Sequence, residues 1–166
     1  MANSNSQDTF ISRIINAPQE LVFEAWTSEE HLQHWYAPKG CTVHFAQVDI
    51  RPGGGFLSCI RNPTGNYKDC WCKTTFLEIT RPEKIVCTLQ VADANGNLLT
   101  SREAGMDPDW PDQTTLTVTF TPQGDKTLFT LHQTVSTVLA KRTGAEPSWL
   151  QMLDILEEHL QPAGAR

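Results

Sequence analysis

Between Glu146 and Leu160 the apolar residues Trp149, Met152, Leu153, Leu156 and Leu160 fall at i, i+3, i+4, i+7 and i+11. That spacing lays one apolar stripe along an α-helix, with Gln151, Asp154, Glu157 and Glu158 on the other face. Pro147 suits the first turn, where its missing N–H costs nothing, and Pro162 and Gly164 are stop signals. A helix of roughly 15 residues is about 22 Å long. Its stripe has to be buried, so the rest of the chain must supply a surface for it.

The pattern upstream is mostly of period two. Thr9 to Ile15 predicts a strand. Asn16-Ala17-Pro18 opens a helix whose buried face is Leu21, Val22, Ala25 and Trp26, and Thr27-x-x-Glu30 matches a capping box for a second short helix with Leu32 and Trp35 inward. Val43 and Phe45 alternate, then Val48 and Ile50 continue one step out of phase, which predicts a β-bulge near Ala46-Gln47. Glycines 53–55 turn the chain into a strand from Phe56 to Arg61, and Asn62 to Asn66 is a further turn. Tyr67 to Ile79 is a long strand that changes phase between Phe76 and Leu77. Arg81-Pro82-Glu83 is a turn, Ile85, Cys87, Leu89 and Val91 share one strand face, and Asn95-Gly96 signals a hairpin. Arg102 to Asp112 has no period and holds Met106 and Trp110, as a lid or binding loop would. Leu116, Val118 and Phe120 mark another strand, and Thr127 to Val135 the last. The predicted class is α+β, a curved antiparallel sheet of about six or seven strands wrapped around a long C-terminal helix, with two short helices after the first strand.

Composition narrows the partners. The 166 residues fit one domain, expected over 9–161 between a disordered tail at 1–8 and a short tail at 162–166. The net charge of −6 with no Lys/Arg run argues against nucleic acid. No apolar run approaches about 18 residues, so no membrane partner is expected. The polar N-terminus lacks a signal-peptide core, and the five cysteines show no secreted spacing, which points to the cytoplasm. A homodimer is left open.

Four stretches together resemble a known superfamily. They are Arg13-Ile14-Ile15-Asn16-Ala17-Pro18 leading into Val22 to Trp26, Ser28 to Trp35, Asp49-x-Arg51-x-Gly53-Gly54-x-Phe56, and Gly144 to Trp149 with the leucines after it. They resemble the helix-grip superfamily of START domains, birch-pollen-allergen-like proteins and polyketide cyclases. Within it, the nearest resemblance is to stand-alone domains similar to the activator of the 90-kDa heat-shock-protein ATPase. The resemblance implies a helix-grip fold whose sheet and long helix enclose a pocket for an apolar small molecule. Relatives include cyclases, dehydratases and ligand binders. The chaperone activator carries an additional N-terminal domain for which this sequence has no room, which weighs against a chaperone role. The family strand usually has a glycine where this chain reads Cys70-Trp71-Cys72, so its pocket wall should differ.

The residues expected to meet a ligand are Trp35, Phe56, Trp71, Met106, Trp110, Trp149, Met152 and Leu153. Aromatic and apolar walls with a few polar groups are what small-molecule sites look like, and the plain alternative for each is core packing. Cys70 and Cys72 share a strand face but lack further ligands at zinc spacing, and His31 and His34, at i, i+3, more often form a solvated face. No metal and no cofactor are expected. Asp49 and Arg51 share a face and can brace the glycine turn. No Ser-His-Asp order, H-E-x-x-H or phosphate-loop motif occurs, so no catalytic residue is assigned. The leading expectation is a small apolar or aromatic molecule bound between sheet and helix. The rivals are a cyclase or dehydratase using that cavity and a chaperone-partner module working through an exposed surface. A buried Asp, Glu or His facing the helix would favour the enzyme.

Overall fold

Alternating burial along the strands places one row of each against the long helix. The computed structural model describes residues 7–63 and 69–161. In chain order these form β1 (Asp8–Ile15), α1 (Gln19–Thr27), α2 (Glu29–Trp35), β2 (Thr42–Asp49), β3 (Gly55–Arg61), β4 (Cys70–Thr80), β5 (Lys84–Val91), β6 (Gln113–Gln123), β7 (Lys126–Ser136), α3 (Thr137–Thr143) and α4 (Ala145–Leu160). The seven strands make one sheet in the order β1-β7-β6-β5-β4-β3-β2, every neighbouring pair antiparallel. The two helices after β1 carry the chain from one edge of the sheet to the other, and α4 closes over the inner face. This is the helix-grip architecture expected from the sequence.

The stripe on α4 is buried as its spacing predicts, from Trp149 to Leu160. It joins a core in which Trp26 packs against Trp35 at 4.7 Å and stacks on Phe129 at 5.5 Å and Trp149 at 6.1 Å. On its polar side, Arg13 of β1 reaches Asp154 and Glu157, each at 2.8 Å. Both phase slips are register shifts. One lies between Ala46 and Asp49, where Gln47 takes φ 54°, and the other between Phe76 and Glu78, where Leu77 turns outward. Arg51 Nε donates to Asp49 at 2.8 Å beside the glycine turn.

Three details differ from the sequence reading. The cap of α2 is Ser28, whose hydroxyl accepts from His31 N at 3.5 Å; Thr27 instead donates its hydroxyl back to Phe23 O at 3.0 Å and so ends α1. Phe23, absent from the predicted stripe of α1, is fully buried and meets Phe120 edge-on at 5.3 Å, whereas Leu21 is half-buried. The third is α3, an unpredicted helix capped by the Ser136 hydroxyl accepting from Leu139 N at 3.0 Å and ended by Gly144 at φ 87°. The first residues of the expected strand from Tyr67 fall outside the described residues, as do most of the N-terminal tail and the tail at 162–166. Asp8, the last residue of the expected N-terminal tail, already pairs with Ser136.

Candidate functional site

The connection from β5 to β6 is long because it builds structure of its own. The Asp93 carboxylate accepts from Asn95 N and Asn97 N, both at 2.9 Å, and Ala92 bridges to Leu98, which closes the predicted hairpin around Gly96. Beyond it, Thr100 and Glu103 cap each other: Thr100 N donates to Glu103 Oε1 at 2.8 Å and Glu103 N to Thr100 Oγ1 at 3.0 Å. Ser101 is buried and donates its hydroxyl to Trp110 O at 2.8 Å, which folds the loop back on itself.

A cleft of about 870 Å³ opens between this loop, the first residues of β4 and the corner between α3 and α4. Met106 and Trp110 form its loop side, Cys70, Trp71 and Val91 its sheet side, and Ala145 and Ser148 its helix side. Trp110 also leans on a small cluster of Val135, Leu139 and Ala140, which fixes the ring over the corner.

Of the two thiols at the start of β4, Cys70 lines the cleft and Cys72 follows it along the strand. Cys70 is exposed and Cys72 partly so, yet burial is the largest influence on both, and it pushes the Cys72 thiol up to about 12. Both groups therefore stay protonated near neutral pH, and neither is a thiolate nucleophile or a ready metal ligand. Cys87, on the next strand, is pushed up to about 12 for the same reason. The phenol of Tyr36, at the C-cap of α2, is also held well above its usual range by burial.

The sequence-derived candidates divide into two groups. Trp71, Met106 and Trp110 line the cleft. Trp35, Phe56, Trp149, Met152 and Leu153 lie in the main core. Trp35 Nε1 donates to Ala25 O at 2.9 Å, and Trp149 Nε1 donates to Gln133 Oε1 at 3.0 Å, while Gln133 Nε2 donates to Thr114 Oγ1 at 3.0 Å. Sequence reasoning did not single out Val91, Ala145, Ser148 or Tyr36. Tyr36 falls at i+4 from Leu32, on the face that Leu32 and Trp35 mark as inward, but the predicted stripe stopped at Trp35. His31 Nδ1 lies 2.9 Å from His159 Nε2, and His34 stacks on His159 at 4.9 Å; the last of these residues belongs to no sequence pattern. Among the described residues no three His, Cys, Asp or Glu side chains are placed to hold a metal ion.

One ion-pair cluster ties the loop down. Arg142, at the end of α3, meets Asp107 at 3.0 Å and Asp109 at 3.1 Å. The Asp109 N–H holds the Asp107 carboxyl below its usual range, and the Arg142 guanidinium adds to the effect. A carboxyl whose folded pKa is depressed stabilises above its unfolded pKa and loses that contribution as pH falls through the folded one. The contribution of Asp107 to the latch is thus present at neutral pH and lost only in acid, below the ordinary aspartate range. Arg142→Ala should speed amide hydrogen exchange across residues 101–110 at pH 7 while leaving the global urea midpoint nearly unchanged, because exposed pairs add little to stability. Unaltered exchange in that segment would show that the loop does not depend on the latch.

Comparison with known proteins follows the same lines. The family model described as "Activator of Hsp90 ATPase homolog 1-like protein" matches residues 16–161. No curated protein matches the chain. A crystal structure of a protein from Nitrosomonas europaea is 25% identical, with 96% of this chain and 97% of that one covered and a TM-score of 0.73. One from Chromobacterium violaceum is 20% identical over 98% and 99% of the two chains, with a TM-score of 0.76. The AHSA1 protein from Silicibacter pomeroyi is 17% identical over 93% and 97%, with a TM-score of 0.71. The family match spans most of the chain and the structural likeness extends over nearly all of it, and so the chain belongs to the family of proteins like the activator of Hsp90 ATPase homolog 1.

Proposed function

We propose that this protein binds a small apolar or aromatic molecule in the cleft beneath the 100–112 loop. The carrying observation is the cleft itself, a volume of about 870 Å³ walled by Trp71, Met106, Trp110 and Val91. Pockets for small molecules usually span about 300–1,000 Å³ with mainly apolar walls. The chemistry of the interior supports binding over acid–base catalysis. Among the described residues the buried polar side chains are hydroxyls and one amide, with no carboxylate or imidazole. Four carboxylates line the cleft, all at least partly exposed at its rim, and each is engaged: Asp69 by Arg61, Asp93 by the hairpin, Glu103 by the Thr100 N–H and Asp107 by Arg142. A cyclase-type reaction needs a group that can take or give a proton at a buried carbon or oxygen, and these rim carboxylates are already occupied. No helix among the described residues is long and apolar enough to cross a membrane.

Tryptophan emission should respond saturably to small hydrophobic compounds, since Trp71 and Trp110 border the cleft. Trp110→Ala should weaken that response about tenfold, as loss of an aromatic contact in a binding site does. A broad screen of apolar compounds that shifts neither emission nor melting temperature would end this reading and leave the protein as an interaction module.

A further inference from the structure

The charged groups that line the cleft are of one sign. Among the described residues its lining holds the carboxylates of Asp69, Asp93, Glu103 and Asp107 and no lysine, arginine or histidine. Two of these have guanidinium partners: Asp69 meets Arg61 at 3.0 Å and Asp107 meets Arg142 at 3.0 Å. The other two are held by amide groups. Asp93 accepts from the Asn95 and Asn97 N–H groups and from Asn97 Nδ2, and Glu103 Oε1 accepts from the Thr100 N–H. An amide donor fixes a carboxylate and favours its ionised form, but it carries no net charge to cancel it. The Asn97 N–H is the largest of the influences that hold Asp93 below its usual range, so Asp93 is an anion at neutral pH. Two formal negative charges without a cationic partner among the described residues thus border a space whose other walls include Met106, Trp110 and Val91.

The aromatic walls act in the same direction. Trp71 and Trp110 are half-buried and line the cleft, and the face of an indole attracts a cation. One feature acts against it. Helix α4 starts at Gly144 on the helix side of the cleft, and the first N–H groups of a helix carry about half a positive charge. That is smaller than the charge of two carboxylates. It is reduced further by α3, which ends at the same glycine and brings its last carbonyls to this corner, and by Glu146 in the first turn of α4. The balance is negative. An anion entering the cleft meets repulsion, and a cation is attracted by carboxylates that stand beside apolar surface.

We propose that the cleft selects a hydrophobic organic cation, whose apolar body lies against Met106 and Trp110 and whose charged head is drawn to Glu103 and Asp93. This rests on the cleft being a ligand site and adds the charge of the ligand. The two carboxylates differ in what they offer. Asp93 already accepts three N–H bonds and acts through its field. Among the described residues Glu103 is bonded through Oε1, which leaves Oε2 for direct contact. Glu103 is exposed, so its attraction for the head is sensitive to salt.

Equilibrium dialysis with 2-naphthyltrimethylammonium, its uncharged isostere 2-tert-butylnaphthalene and 2-naphthoate tests this. In low salt the cation should bind about tenfold more tightly than the isostere, and the naphthoate should bind most weakly. About 0.5 M salt should shrink the preference for the cation several-fold. Glu103→Gln keeps an oxygen to accept from the Thr100 N–H and removes the charge. It should weaken the cation about three- to tenfold and leave the isostere within about twofold. Glu83→Gln makes the same change of net charge in the turn before β5, about 25 Å along the strand from Val91, and should leave all three probes within about twofold. Trp110→Ala should weaken cation and isostere alike. Equal affinity for cation and isostere, tighter binding of the naphthoate, or an equal loss of the cation in Glu83→Gln would overturn the charge selection while the cleft remained a binding site. Cation binding that survives Trp110→Ala would lie outside the cleft and would also overturn it. Failure of all three probes to bind the folded wild type would remove the cleft reading and the charge selection with it.

Discussion

Trp149→Ala should destabilise the protein by about 3–5 kcal/mol, the range for truncating a buried tryptophan. The indole stacks on Trp26 at 6.1 Å and meets Tyr36 edge-on at 6.2 Å, so its loss opens the junction of α1, α2 and α4 at once. A polar cost is added to the cavity. Trp149 Nε1 donates to Gln133 Oε1, and Gln133 is 3% exposed. Without the indole the Gln133 carbonyl is left buried and unpaired, which alone costs about 1–3 kcal/mol. Trp149→Phe separates the two parts: it keeps most of the ring and removes only the donor. It should therefore fall between wild type and Trp149→Ala in a urea titration. Since domains hold only about 5–15 kcal/mol in all, the alanine variant stands to be partly unfolded at 37 °C. A midpoint within error of the wild type would mean that α4 does not carry the core.

The stripe that predicts this result was legible because burial on one side of a helix has a period, and the two bulges were legible because a one-residue slip moves a strand's apolar set to the other face. Helix α3 had no such signal. Only Leu139 and Ala140 are buried on it, and Val138 is 70% exposed, so nothing repeats. Only its ends were informative, with Ser136 as cap and Gly144 as terminator. The choice between Thr27 and Ser28 as a cap was undecidable from composition, because both hydroxyls suit the role and the backbone of α1 claimed the first.

The candidate site was less legible than the fold. An aromatic residue looks alike in a core and in a cleft, so the candidate set joined two places that the fold separates. Trp110 stood apart because a long loop has little core to offer, and it does border the cleft. Trp71 pairs with Cys59 and lies on the row alternate to Cys70 and Cys72, yet it lines the cleft beside Cys70 at the start of the strand.

Gly55→Ala should be the most damaging of the glycine substitutions, at about 3 kcal/mol or more. A Cβ on Gly55 would collide with the Thr74 carbonyl oxygen, which is backbone and cannot rotate away. The surroundings leave no slack. Gly53 N donates to Phe76 O and Phe76 N donates to Gly54 O, both at 2.8 Å, so the turn is bonded to β4 immediately before the collision. Relief requires β3 and β4 to part where Gly55 faces Thr75, and that displaces the strand carrying Thr74. Gly53→Ala is the matched control. Gly53 has φ 86° with open space around it, so its substitution brings left-handed strain of about 1–2 kcal/mol and no collision. Urea midpoints should therefore rank wild type, Gly53→Ala and then Gly55→Ala. If the order reversed, conformational strain rather than the close approach of β3 to β4 would be what requires glycine in this turn.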